Sequence, residues 1–288
     1  MSADRLWIVG AGRLGLALGL ALHRSGAVAS LAYTGRRPDP PDHPLFRGAA
    51  SYSAALRAPP EGPTGIVLAV PDGAIREVAG ALARLPLAPG TPVLHASGAL
   101  SVDALAPLAA RGHPVGGLHA LAAVADPVAG AERLRGATFG VEGDGDARLL
   151  ALRMVEGCGG RALAVPSAGK PLYHAAAVFA ANYAVALLGV AERLMGEAGV
   201  PPEEARAALA GLAAGAVENV SAHGPAAALT GPVARGDAET VRLHLARLSG
   251  ADRPLYSLLA REALALAREA GLPPEPAARI SDLLEERS

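Results

Sequence analysis

Apolar positions in the first 165 residues follow two alternating rhythms. Short unbroken apolar runs at 6–9, 28–33, 65–70, 91–95, 114–118, 137–141 and 161–165 predict strands, because a strand covered on both faces shows no polar alternation. After the first run, Leu14, Ala17, Leu18, Ala21 and Leu22 recur at helical spacing and predict a helix with one buried face. Further helices are expected over 73–84, 101–110 and 145–157. Prolines at 38, 40, 41 and 44 and again at 59, 60 and 63 bracket a short helix expected over 53–57. Strand and helix alternating in this way define βαβ units and a doubly wound, mostly parallel sheet.

Beyond Pro166 the rhythm changes. No strand-like run appears, and long Ala/Leu helices are predicted over 171–198, 202–222, 238–248, 252–270 and 275–286. Pro201-Pro202 and Pro273-Pro274 punctuate them, as proline fits the first turn of a helix but not its interior. The expected class is α/β: a Rossmann domain over 1–165 and an all-helical domain over 166–288.

Composition narrows the function. The chain is 51% hydrophobic and 18% charged with a formal net charge of -1, so no basic field invites nucleic acid. The single cysteine, Cys158, excludes an intrachain disulfide and a multi-cysteine metal site, and no metal is expected. Asp4 and Arg5 run straight into a strand, without the basic and apolar blocks of a signal peptide. Residues 171–191 carry no Asp, Glu, Lys or Arg. With Pro171, His174, Asn182 and two tyrosines among many alanines, they are read as a buried core helix. The protein is therefore expected in the cytoplasm, away from membranes.

The chemistry starts at Gly10-Ala11-Gly12-Arg13-Leu14-Gly15, which ends the first strand and opens the first helix. In that context a GxGxxG loop binds a dinucleotide. The first glycine allows the tight turn, the second lets the backbone approach the pyrophosphate, and the third lets helix and strand pack. The helix N-terminus then offers free N–H groups and partial positive charge to the phosphates. NAD-binding domains place an acidic residue about 20 positions onward. Here Thr34, Arg36 and Arg37 stand at the end of the second strand, and no acid occurs between Ala27 and Pro38. Guanidiniums match a 2′-phosphate, so NADP(H) is the expected cofactor.

Two more strand ends should face the same crevice, since ligands of open α/β sheets bind outside the carboxyl ends of the strands. Val70-Pro71-Asp72 is one, with Asp72 also readable as the N-cap of the next helix. His95-Ala-Ser97-Gly98 is the other, a small turn on which a nicotinamide could lie.

These motifs, with Gly117-Leu-His119, resemble the superfamily of ketopantoate reductase, pyrroline-5-carboxylate reductase, and the β-hydroxyacid and 6-phosphogluconate dehydrogenases. Lys170-Pro-Leu-Tyr173-His174, Asn182, the loop from Leu229 to Asp237, and His244 look like a Rossmann-like branch with a C-terminal domain of poorly characterised function. That half resembles the C-terminal domain of 6-phosphogluconate dehydrogenase. The resemblance covers essentially the whole chain and implies hydride transfer to a small oxo-acid or cyclic imine. It also implies a Lys and an Asn four residues apart on the first helix after the Rossmann domain. Asn182 matches the Asn, but Val178 stands where the Lys is expected.

Helical spacing offers a replacement. Lys170, His174, Val178 and Asn182 follow one another at i+4, each step drifting about 40° and rising about 6 Å. His174 is the candidate proton donor, histidine being the side chain that ordinarily titrates near neutrality. A satisfied core histidine is the competing reading. Asn182 would hold the reacting oxygen or the nicotinamide amide, and Lys170 flanks the helix start. His119 and Tyr173 are candidate substrate contacts. Arg235, in a Gly/Pro loop, would receive a carboxylate; Asp237 reads as a helix cap and His244 as packing or function. The expectation is an NADP-dependent reductase of a 2-oxo acid, working with a small-molecule substrate as a homodimer. Imine reduction, and a sensor that binds NADP(H) without turnover, remain alternatives.

Overall fold

The computed structural model describes residues 3–57 and 62–285. Pro59, Pro60 and residue 286 of the expected elements lie outside the described residues. Among the described residues eight strands form one sheet: β1 (Asp4–Val9), β2 (Val28–Thr34), β3 (Ala50–Ser53), β4 (Gly65–Leu68), β5 (Val93–His95), β6 (Val115–Ala120), β7 (Thr138–Gly143) and β8 (Arg161–Ala164). Their order is β3-β2-β1-β4-β5-β6-β7-β8. Every neighbouring pair is parallel except β6 and β7, which run antiparallel.

Alternation along β1 explains the double winding. Successive side chains of a strand point to opposite faces. Leu6 and Ile8 enter a core with residues of α1 (Arg13–Arg24) and α5 (Gly145–Gly157). Trp7 and Val9 enter a second core with Ile75, Ala79 and Leu82 of α2 (Asp72–Leu82). All four β1 residues are buried, each large side chain contributing roughly 1.5–3 kcal/mol. An apolar run without alternation is therefore what this position requires.

Three local expectations are corrected. The segment expected as a helix over 53–57 begins with Ser53, the last residue of strand β3, and continues as a bend. The outer edge of β2 offers unpaired backbone groups, and Leu31 to Thr34 pair with Ala50 to Ser53. The Ser53 hydroxyl then receives the Ala55 amide and holds the bend. A 3-10 turn lies instead at Pro44–Phe46, capped by His43. Over 101–110 the chain forms a 3-10 turn, Val102–Leu105, and a single α turn, α3 (Ala106–Ala109). An unanticipated helix, α4 (Pro127–Leu134), packs on α1. Its Asp126 accepts from the Val128 and Ala129 amides and Pro127 supplies the first turn, a strong start signal.

The chain divides into two compact units, residues 1–182 and 183–288. The helical polypeptide begins earlier, with a 3-10 turn at Ser167–Gly169 and α6 (Lys170–Val178). A π turn, Phe179–Tyr183, joins α6 to α7 (Ala184–Glu197). The second unit continues with α8 (Pro202–His223), α9 (Pro225–Ala228), α10 (Ala238–Arg247), α11 (Asp252–Glu269) and α12 (Pro274–Glu285). Val241, Leu245, Leu264, Ala277 and Ile280 form its core.

The long helix is not the buried core helix expected over 171–191. Ser167–Glu197 has a mean hydropathy of 1.6 over its most apolar window, none of which is buried. By length and composition alone it is long and apolar enough to cross a bilayer. Leu172 (80% exposed), Phe179 and Val185 stand on its surface. Apolarity without charge does not by itself show that a helix is buried in its own chain.

Candidate active site

The glycine loop is built as its sequence requires. Gly10 has φ +121°, and a Cβ there would strike the carbonyl of Ala69 at the end of β4. A Cβ on Gly15 would strike the carbonyl of Gly10, so the third glycine holds α1 against the loop. Gly12 is different: a Cβ there would meet nothing within 4 Å. It is the N-cap residue of α1, with no side-chain cap and no acidic residue in the first turn. Open backbone at a helix N-terminus is suited to receive an anion. Ala11 and Leu14 are half-buried, and Arg13 is exposed.

Beyond β2, Arg36 and Arg37 are exposed, while the Arg37 carbonyl accepts from the Tyr52 hydroxyl. Thr34 departs from expectation. It is 6% exposed and its hydroxyl accepts from the Trp7 indole at 3.0 Å, so it lies beneath the turn and not on it. Asp72 is not a cap either. Pro71 is the N-cap residue of α2, no side chain caps the helix, and Asp72 is its exposed first residue. Val70 is half-buried beside them. Asp72 acts by charge, raising the proton affinity of His95, His119 and Lys170.

A polar cluster gathers at the carboxyl ends of β5 and β6. Ser97 is buried, and its hydroxyl receives the amides of Ala99 and Leu100 at 3.2 and 3.0 Å. Its own turn therefore occupies that hydroxyl. The carbonyl of Ser97 receives the ammonium of Lys170 at 3.0 Å. Lys170 is 1% exposed and lies 3.7 Å from Glu142. Glu142, on β7, also accepts from Ser167 at 2.6 Å and from the Val102 amide at 3.1 Å. Burial lowers the lysine's proton affinity, against which Glu142 acts.

Above this pair stand three rings. His119, on β6, has its Nδ1 2.9 Å from the Tyr173 hydroxyl. The ring of His174 packs edge-on to His119, centroids 5.6 Å apart. Gly98 makes this approach possible, since a Cβ there would come within 2.5 Å of His174 Nδ1 and 2.8 Å of His119 Nε2. Nδ1 of His174 is buried and has no hydrogen-bond partner among the described residues, and such a group calls for an explanation. Burial, with His174 and Lys170 beside it, pushes His119 down to about 4. His95 is likewise pushed down to about 4 by burial and Lys170.

The structure thus brings together Lys170, Tyr173, His174, His119, Ser97 and Gly98 from the sequence expectations. Asn182 is outside this cluster, exposed in the π turn. Arg235 is exposed in the second unit, close enough to Asp237 to lower that carboxyl's proton affinity. Asp237 caps α10 as expected, accepting from the Thr240 amide at 3.0 Å. His244 pairs with Tyr256 at 2.9 Å. Cys158 is buried, its thiol pushed up to about 11, which suits a packing role. Glu142 and His95 were not expected as site residues. A lone acid within the strand Thr138–Gly143 was the available signal for Glu142.

The chain joins a Rossmann-like domain to a helical second half. Residues 2–120 match the Rossmann-like domain family, and residues 137–263 match the family described as a domain of unknown function (DUF2520). No curated protein matches the sequence. Among solved structures, a protein of Thermotoga maritima is similar at 24% identity, covering 92% of this chain and 98% of its own, with a TM-score of 0.70. A pyrroline-5-carboxylate reductase from Coxiella burnetii is similar at 14% identity, covering 99% and 100%, with a TM-score of 0.61. Plasmodium falciparum pyrroline carboxylate reductase with NADP bound is similar at 13% identity, covering 97% and 99%, also with a TM-score of 0.61. At these identities the likeness is one of fold.

Proposed function

We propose that this chain is an NADP(H)-dependent reductase that transfers hydride to a small carboxylate-bearing carbonyl compound, a 2-oxo acid of the ketopantoate kind. The observation that carries this reading is the gathering of His119, Tyr173 and His174 around Gly98. They stand at the carboxyl edge of the sheet whose first strand carries the glycine loop. A dinucleotide fits the residues present. Gly12 and the uncapped start of α1 would take the pyrophosphate, and Arg36 and Arg37 the 2′-phosphate. Val70, Pro71, Ser97 and Gly98 form the turns along the same edge.

When bound, the dihydronicotinamide supplies the hydride. The carbonyl electron pair then moves onto oxygen, which takes a proton from His174 and leaves the alcohol. His174 is suited to this because its Nδ1 is buried without a structural bond among the described residues. Lys170 and Glu142 fix the floor of the site. Reduction of a cyclic imine is the second reading, favoured by the likeness in fold to two pyrroline carboxylate reductases. The deciding experiment follows NADPH oxidation with a panel of 2-oxo acids and cyclic imines. Turnover with a 2-oxo acid supports the first reading, and turnover confined to imines selects the second. NADPH binding without turnover of either class makes the protein a sensor.

We propose in addition that the protein works as a homodimer. α8 packs beside α7 and exposes Leu212 (73%) and Val217, so apolar surface extends over two helices, as a subunit interface requires. Sedimentation equilibrium should give twice the chain mass. A monomeric mass, with or without binding to phospholipid vesicles, overturns this.

A further inference from the structure

Tyr173 meets His119 edge-on, ring centroids 5.5 Å apart at 84°, with its oxygen 2.9 Å from Nδ1. Between a neutral phenol and a neutral imidazole the phenol O–H is the stronger donor and the bare ring nitrogen the stronger acceptor, so the hydroxyl hydrogen points to Nδ1. Burial raises the phenol above its ordinary range, so it keeps that hydrogen. A neutral imidazole whose Nδ1 accepts carries its own hydrogen on Nε2. Nε2 is the His119 atom that faces the side-chain-free surface of Gly98, as does Nδ1 of His174.

We propose that Tyr173 is a positioning residue that commits His119 to the Nε2–H tautomer, so that His119 serves as a neutral hydrogen-bond donor to the reacting oxygen or nitrogen while His174 supplies the proton. What His119 holds rests on the reductase reading above; the tautomer itself does not. A neutral donor polarises a carbonyl without surrendering its hydrogen, leaving proton transfer to the second histidine.

The surroundings keep the ring neutral. The Lys170 ammonium lies 5.9 Å from the centre of the Tyr173 ring, anchored on the Ser97 carbonyl and beside Glu142. Around His119, His174 and Lys170 on α6 and His95 on β5 disfavour a second proton, while Asp72 on α2 favours one. Burial adds to the first set and is the largest influence. Tyr173 therefore sets which nitrogen carries the hydrogen, and the buried lysine helps to ensure that only one does.

Nitrogen-15 NMR of histidine-labelled protein reads the tautomer directly, with the His119 signals assigned from their absence in His119→Gln. The expected pattern is Nε2 protonated and Nδ1 bare at pH 7. Tyr173→Phe keeps the ring contact and removes only the hydroxyl. His119 should then become a mixture of tautomers, and kcat should fall by up to about 10²-fold with NADPH affinity unchanged. A His119 that is Nδ1-protonated in the wild type overturns the proposal, as does a spectrum unaltered by Tyr173→Phe. If no substrate is ever turned over, the reductase reading fails while the NMR pattern still decides the tautomer. As a second measurement, Lys170→Met combined with Glu142→Gln should move the His119 titration upward. An unmoved titration removes Lys170 from the device.

Discussion

The ammonium of Lys170 rests 3.0 Å from the carbonyl oxygen of Ser97, with 1% of the side chain exposed. A lysine on the first turn of α6 thereby ties that helix to the turn after β5. Its charge is balanced by Glu142 on a third element, β7.

Removing one half of that pair leaves the other buried and uncompensated, which typically costs about 3–5 kcal/mol. The long separation of 3.7 Å places Lys170→Met toward the lower end. Lys170→Met together with Glu142→Gln should recover part of the loss, because no net charge then remains in the site. Urea unfolding of both variants checks this, and a double variant less stable than the single one contradicts it.

Stability should fall in mild acid. His95 and His119 are pushed down to about 4 from the ordinary 6.5. Between those values the unfolded chain binds protons that the folded chain refuses, so stability falls as pH drops from about 6.5 toward 4. His95→Asn removes one contribution while keeping an acceptor for the Ser97 amide that now bonds Nδ1. Its thermal midpoint should depend less steeply on pH over that interval. An equally steep dependence would show that His95 is not a source of the acid sensitivity.

Much of the fold was legible because local pattern and tertiary role agree there. The run at 6–9 reads as a strand covered on both faces, and β1 is one. The same agreement extends to α5, where the interval expected over 145–157 is the helix Gly145–Gly157. Where partners are distant, the pattern misleads. β3 forms because β2 offers it an edge, and Thr34 is withdrawn from the surface by Trp7 from another strand. The Asp126-Pro127 start of α4 is a local signal, a capping acid followed by a first-turn proline. In the site, four-residue spacing placed Lys170 and His174 on one face. It did not anticipate the π turn at Asn182, nor that Glu142 would meet Lys170 across 28 positions.

Cofactor preference is open to direct test. Arg36 and Arg37 stand exposed after β2, and charge-assisted bonds to a phosphate contribute about 1.5–3 kcal/mol each. Replacing both with alanine should weaken NADPH binding by roughly 10²–10⁴-fold while changing NADH binding little. Fluorescence titration with the two dinucleotides measures both. Equal losses would mean that the arginines act on the fold or on a phosphate common to both.

The contact between Gly98 and the two histidines makes the sharpest test of the catalytic reading. His174→Ala should lower turnover by about 10²–10⁴-fold, the usual contribution of a placed general acid. By itself that result does not separate lost chemistry from lost packing. Gly98→Ala does, because it leaves both imidazoles in the chain and disturbs only their arrangement. The new methyl would lie 2.5 Å from His174 Nδ1 and 2.8 Å from His119 Nε2, well inside ordinary contact, so at least one ring must move. Both rings belong to the unit that carries the glycine loop, yet neither lies in that loop. The kcat should fall by about 10²-fold for a displacement near 1 Å, and NADPH affinity measured alongside shows how much of the change passes through the nicotinamide turn. Combining the two substitutions adds the decisive comparison. If Gly98→Ala acts by displacing His174, it should cost little more in the His174→Ala background, where the proton donor is already gone. Full additivity would instead trace the loss to His119 or to the nicotinamide turn, and would remove the His174 contact from the catalytic account.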